Sequence, residues 1–104
     1  MNSRSKGKRG ELELAAYLRE HGVEARRGQQ FAGGTNSPDV VTSLDGVHFE
    51  CKRTERTDLY GWMAQATADA GSKLPVVAHR KNNGEWLAVL PLDKLLELLK
   101  RGVS

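Results

Sequence analysis

Apolar residues recur along this chain with two alternating periods, and the changes of period divide it into elements. From Arg9 to His21 the residues Glu11, Leu14, Ala15 and Leu18 fall at i, i+3, i+4 and i+7, the spacing of one helical face. Gly22 supplies the stop. A short strand is expected over Val23 to Arg27, and the stretch from Phe31 to Pro38, rich in Gly, Asn and Ser, reads as a loop leading to Asp39. Asp39 to Leu44 and Val47 to Arg53 are strand-like runs on either side of Asp45-Gly46, a pair that favours a two-residue hairpin turn. Leu59, Trp62, Met63, Ala66 and Ala70 mark a second helix that ends at Gly71. Leu74 to His79 and Glu85 to Leu90 form two further strands joined through Asn82, Asn83 and Gly84, and a last helix runs from Pro91 to about Lys100. The order predicts an α/β fold, a central mixed β-sheet flanked by helices.

With 104 residues, of which 38% are hydrophobic, the chain fits one domain with one core. Residues 1–8 are expected to form a flexible basic N-terminus. No apolar run approaches the roughly 20 residues of a membrane-spanning helix, and Cys51 alone cannot form an internal disulfide. A soluble cytoplasmic protein is expected. Charge sharpens this picture through its placement more than through the net value of +3. Arg4, Lys6, Lys8 and Arg9 crowd the N-terminus, Arg26 and Arg27 follow the first helix, and Arg53 and Arg56 flank the end of the second hairpin strand. These are the candidate DNA-binding residues; a plain solvated surface is the alternative for each cluster.

Candidate chemistry centres on the hairpin. A two-residue turn would pair Val41 with Glu50, Val40 with Cys51 and Asp39 with Lys52. Asp39, Val41, Glu50 and Lys52 would then share one face, with Val40, Leu44, Val47, Phe49 and Cys51 on the apolar other. Carboxylates gathered on a half-buried face repel one another, and a divalent cation would relieve that repulsion. Such an ion polarises a phosphodiester, and a nearby ammonium stabilises the developing charge. Glu11 lies on the apolar stripe of the first helix, from where it could reach the ion, reach it through water, or rest at the helix end.

Together, Lys6-Gly7 with Glu11, Pro38-Asp39 and Glu50-Cys51-Lys52 resemble the PD-(D/E)XK nuclease superfamily. Within it the chain is most similar to the Holliday junction resolvases of archaea and their phage relatives, over about residues 6 to 90. The resemblance implies a restriction-endonuclease-like fold in which Asp39 and Glu50 coordinate Mg2+ or Mn2+, Lys52 assists attack by water, and Glu11 supports the metal site. It also implies a supporting polar residue at Gln65, a residue such as Thr35 or Ser37 ahead of the Pro-Asp pair, branched DNA as substrate in recombination or repair, and a homodimer. A non-catalytic nucleic-acid-binding module on the same fold, or a subunit of a repair or restriction assembly, is the competing reading.

Other residues read more plainly. His48 falls on the site face as a possible outer member, although an ordinary surface histidine is the favoured reading for all three histidines. Cys51 reads as a small core residue, and Trp62 and Trp86 as packing residues rather than base-stacking platforms. The apolar stripe from Leu92 to Leu99 is expected to cover the sheet, or else to serve a dimer.

Overall fold

The computed structural model describes residues 3–28 and 38–102, with side chains from Gly7 onward. Its elements are α1 (Ser3–Glu20), β1 (Ala25–Arg27), β2 (Val40–Thr42), β3 (Val47–Arg53), α2 (Leu59–Ala70), β4 (Leu74–Arg80), β5 (Leu87–Val89) and α3 (Leu92–Gly102). The strands form one sheet in chain order. Neighbours pair antiparallel except β3 and β4, which run parallel. The parallel pair needs a crossover, and α2 provides it. The result is an α/β fold with an open mixed sheet and three helices, consistent with a restriction-endonuclease-like architecture.

The two faces of β3 divide the molecule. Phe49 joins Leu14, Ala15, Val40, Val76 and Ala78 in the core under α1, and Cys51 packs against that cluster. Each large apolar side chain fully withdrawn from water there contributes about 1.5–3 kcal/mol. On the opposite face α2 buries Ala66 and Ala70, and the Trp62 ring stacks at a tilt on His79 with centroids 5.0 Å apart. Trp86 packs against the α1-side core and stands 6.4 Å from the Tyr17 ring. Both tryptophans are therefore packing residues, as their positions predict.

Gly22 ends α1 as expected. Its φ of 85° is the left-handed conformation that glycine adopts without strain. The Val23 N–H then donates to Leu18 O at 2.9 Å and the Gly22 N–H to Arg19 O at 3.1 Å, which satisfies two carbonyls of the last turn. At its other end α1 begins at Ser3, ahead of the predicted Arg9, so the segment expected to be a flexible arm is helical from Ser3 onward. Gly10 brings this helix close to the sheet: a Cβ there would sit 2.6 Å from Arg53 Cβ. Glu13 reinforces the contact, accepting from Arg53 Nε at 3.0 Å and Arg80 Nη1 at 3.3 Å.

Two expectations need correction. The hairpin turn is longer than two residues, because Leu44 N donates to Thr42 Oγ1 at 3.1 Å and a local hydroxyl-to-backbone bond replaces a ladder bond there. Val40 therefore faces Phe49 instead of Cys51, a shift of register by two residues. Because side chains alternate with a period of two, this shift leaves the residues of β2 and β3 on their predicted faces, whereas Leu44, expected on the apolar face, falls in the widened turn and is exposed. It does move Asp39 from the level of Lys52 to that of Glu50. The second correction concerns α3, which buries none of its residues and leaves Leu92, Leu96, Leu98 and Leu99 exposed. It does not cover the sheet.

Candidate metal and nuclease site

Asp39 stands just ahead of β2, held by its own backbone and side chain. Its N–H donates to Phe49 O at 2.9 Å, its carbonyl accepts from Gly28 N at 2.8 Å, and its carboxylate accepts from Cys51 N at 2.7 Å. Gly28 allows that close approach, since a Cβ at this position would collide with the Pro38 carbonyl. Gly28 and the β3 backbone at Phe49 and Cys51 thus fix Asp39 beside β3.

Glu50 is at the centre of the sheet and 4% exposed. Burial pushes its carboxyl up to about 8, and the Asp39 and Asp69 carboxyls, both within hydrogen-bonding reach, push it the same way. His48, two residues earlier on the same face, places Nε2 2.8 Å from Glu50 Oε1. Burial holds this imidazole below its ordinary value, so it favours the neutral form. Lys52 follows on the same face and donates through Nζ to Gln65 Oε1 at 3.2 Å.

Glu11 approaches from the α1 side. Its carboxylate accepts from Arg27 Nε at 2.7 Å. Its pKa is raised, chiefly by burial, opposed by the Arg27 hydrogen bond, and supported by the charge of Asp39. Among the described residues, the donor atoms that come within 4.8 Å of one another belong to His48, Glu50 and Asp69. The structure thus brings Asp39, Glu50 and Lys52 to one region with Gln65 behind Lys52, whereas Glu11 lies at its margin and is engaged by Arg27.

Asp69 is the member that sequence reasoning missed. It lies four residues beyond Gln65 and seven beyond Trp62, on the stripe of α2 that also carries Ala66 and Ala70. An acid on a buried helical stripe was the signal that singled out Glu11, and the same signal was present here. His48, favoured as a surface residue, is instead 2% exposed; the turn before it is solvated, but its own position on β3 lies under α2. Cys51 is in the apolar layer, where burial raises its thiol to about 12, so it is no nucleophile near neutrality.

The basic residues separate into two groups. Lys8, Arg9, Arg26 and Arg56 are exposed. Arg27 and Arg53 are committed to Glu11 and Glu13. The side chains of Arg4 and Lys6, and the whole of Thr35 and Ser37, lie outside the described residues. Among the described residues no helix is long and apolar enough to cross a membrane.

The donor chemistry fits a divalent cation. Three carboxyl groups and an imidazole cluster in a buried region, and among the described residues no Lys or Arg forms an ion pair with Glu50 or Asp69. Carboxylate oxygens of this kind are hard donors suited to Mg2+ or Mn2+. A protein-family model described as "Phage putative PDDEXK endonuclease" matches residues 2–103. No curated protein matches the chain as a relative.

Proposed function

Because the chain belongs to the phage PDDEXK endonuclease family, we propose that it is a metal-dependent endonuclease that hydrolyses DNA phosphodiester bonds at Asp39, Glu50 and Lys52. The observation that carries this reading is the confrontation of Asp39 with Glu50 at the β2–β3 junction, beside Lys52 on the same face of β3. Asp39 and Glu50 would hold Mg2+ or Mn2+. When bound, the ion supplies positive charge that polarises a phosphodiester oxygen and acidifies water.

The protein's own residues supply the remainder. Glu50, whose carboxyl is raised to about 8 in the metal-free protein, would give up its proton on taking the ion and hold it as a carboxylate. Lys52, on the same face of β3 as Glu50 and steered by its hydrogen bond to Gln65, would stabilise charge on the phosphate. Glu11, whose own carboxyl is raised in part by the charge of Asp39, would support the metal site from the α1 side. Exposed Lys8, Arg9, Arg26 and Arg56 offer phosphate contacts that orient DNA without reading its sequence.

Branched DNA is the substrate class that the resemblance to junction resolvases favours, and a homodimer is the assembly that would cut two strands symmetrically. The test is a cleavage assay with four-way junctions, flaps and linear duplexes in Mg2+ and in Mn2+. Preferential cutting of junctions is expected. Equal cutting of linear duplex would remove the junction preference, and binding without cutting would favour a non-catalytic module.

A further inference from the structure

The α2 side of Glu50 carries a nitrogen donor that an all-oxygen magnesium site does not need. His48 and Glu50, alternate residues of β3, present Nε2 and Oε1 2.8 Å apart. Asp69 enters from the last turn of α2, and one donor atom of each residue lies within 4.8 Å of the other two. Donors bound to a single ion at about 2.0–2.2 Å stand roughly 3 Å apart when adjacent and about 4.2 Å when opposed. The observed separations therefore call only for small side-chain rotations.

Their surroundings favour an ion over a simple hydrogen-bonded cluster. His48 and Glu50 are 2% and 4% exposed, and among the described residues no lysine or arginine pairs with Glu50 or Asp69. Lys52, the cation next along the strand, is turned to Gln65. Gathering carboxylates inside a protein without a compensating charge is unfavourable, and a divalent ion would remove that disadvantage. Imidazole is a borderline donor that suits first-row transition ions, whereas Mg2+ prefers oxygen and retains its waters.

We propose that His48, Glu50 and Asp69 form a binding site for a divalent first-row transition ion of the Mn2+ or Zn2+ kind. The site meets the nuclease reading only at Glu50, which both share. In it, Nε2 of His48 is a direct ligand with the ring proton on Nδ1, and Asp69 is a ligand supplied by α2. Occupancy would tie the last turn of α2 to the middle of β3.

The test uses the full chain stripped of metal by a chelator and then given Mn2+ alone. Pulsed electron paramagnetic resonance reads whether an imidazole 14N is bonded to the ion. The parent should show that nitrogen modulation, and so should His21→Ala and Asp39→Asn. His48→Gln should lose it, with Mn2+ affinity falling about tenfold or more. Absence of nitrogen modulation in the parent overturns the proposal whether or not the variants fold, as does its persistence in His48→Gln or its loss in His21→Ala. Cleavage is assayed separately: cutting without bound nitrogen sinks this site alone, and bound nitrogen without cutting sinks the nuclease reading alone.

Discussion

Lys52 Nζ donates to Gln65 Oε1 across 3.2 Å, joining the third residue of the site face on β3 to the middle of α2. One helical turn later, Asp69 reaches Glu50. The match has a metric origin. Four residues of helix advance about 6 Å and two residues of strand about 6.6 Å, so Gln65 and Asp69 fall level with Lys52 and Glu50 when α2 returns along β3.

Removal of Gln65 should therefore act through Lys52. Gln65→Ala is expected to lower kcat for DNA cleavage roughly tenfold, about 1.4 kcal/mol of barrier, at nearly unchanged KM. Steady-state kinetics on one DNA substrate checks this. A change confined to KM would place Gln65 in substrate binding.

The raised carboxyl of Glu50 makes a claim about pH. In the unfolded chain Glu50 ionises near 4.5, and in the folded metal-free protein near 8. The folded state holds the extra proton between those values, so stability from this group is present below 4.5 and is lost as pH rises to about 8. His48 works in the other direction: its lowered pKa gives stability above 6.5 that is lost as pH falls. From about 6.5 to 8 the Glu50 contribution dominates, and urea denaturation in a chelator should show stability falling across that interval. Glu50→Gln should flatten the profile there.

Arg26 and Arg27 are adjacent but should behave differently. Arg27 holds the largely buried Glu11 at 2.7 Å, so Arg27→Ala leaves a carboxylate without its partner and should lower stability by about 1–3 kcal/mol. Arg26 is exposed on the neighbouring position. Arg26→Ala should leave the melting temperature unchanged while weakening DNA binding and reducing its salt dependence. Thermal melts and binding isotherms at two salt concentrations separate the two effects.

Gly10 tests how α1 is seated. A methyl group at this position meets Arg53 Cβ at 2.6 Å, so the helix must shift away from β3. Gly10→Ala should reduce stability by about 1–3 kcal/mol, even though alanine is intrinsically the better helix former. A melting temperature equal to that of the parent would show that α1 has more room than its contacts indicate.

Much of this arrangement is legible in the amino-acid sequence. Val47 to Arg53 and Leu59 to Ala70 match β3 and α2 at both ends, because period-two alternation and helical spacing are unambiguous there. The pairing of Asp39 with Lys52 was misplaced by two residues because Thr42 Oγ1 caps a wider turn than Asp45-Gly46 suggests. The faces survived because the slip was even. Asp69 and buried His48 were hidden for a different reason: only the crossover through α2 brings that helix over β3, and no local periodicity states which strand a helix will cover. The leucines of α3 have strong amphipathic spacing, yet spacing alone could not say that the helix would bury none of them and leave Leu92, Leu96, Leu98 and Leu99 exposed.

The central claim is that Glu50 belongs to a hydrolytic centre and is not merely a buried acid. Its most direct measurement is the initial rate of DNA cleavage by Glu50→Gln against the parent, in Mg2+ and in Mn2+, with folding verified by circular dichroism. The account predicts a loss of about 10²-fold or more at unchanged fold. A folded Glu50→Gln protein that cuts DNA at the parent rate would contradict it.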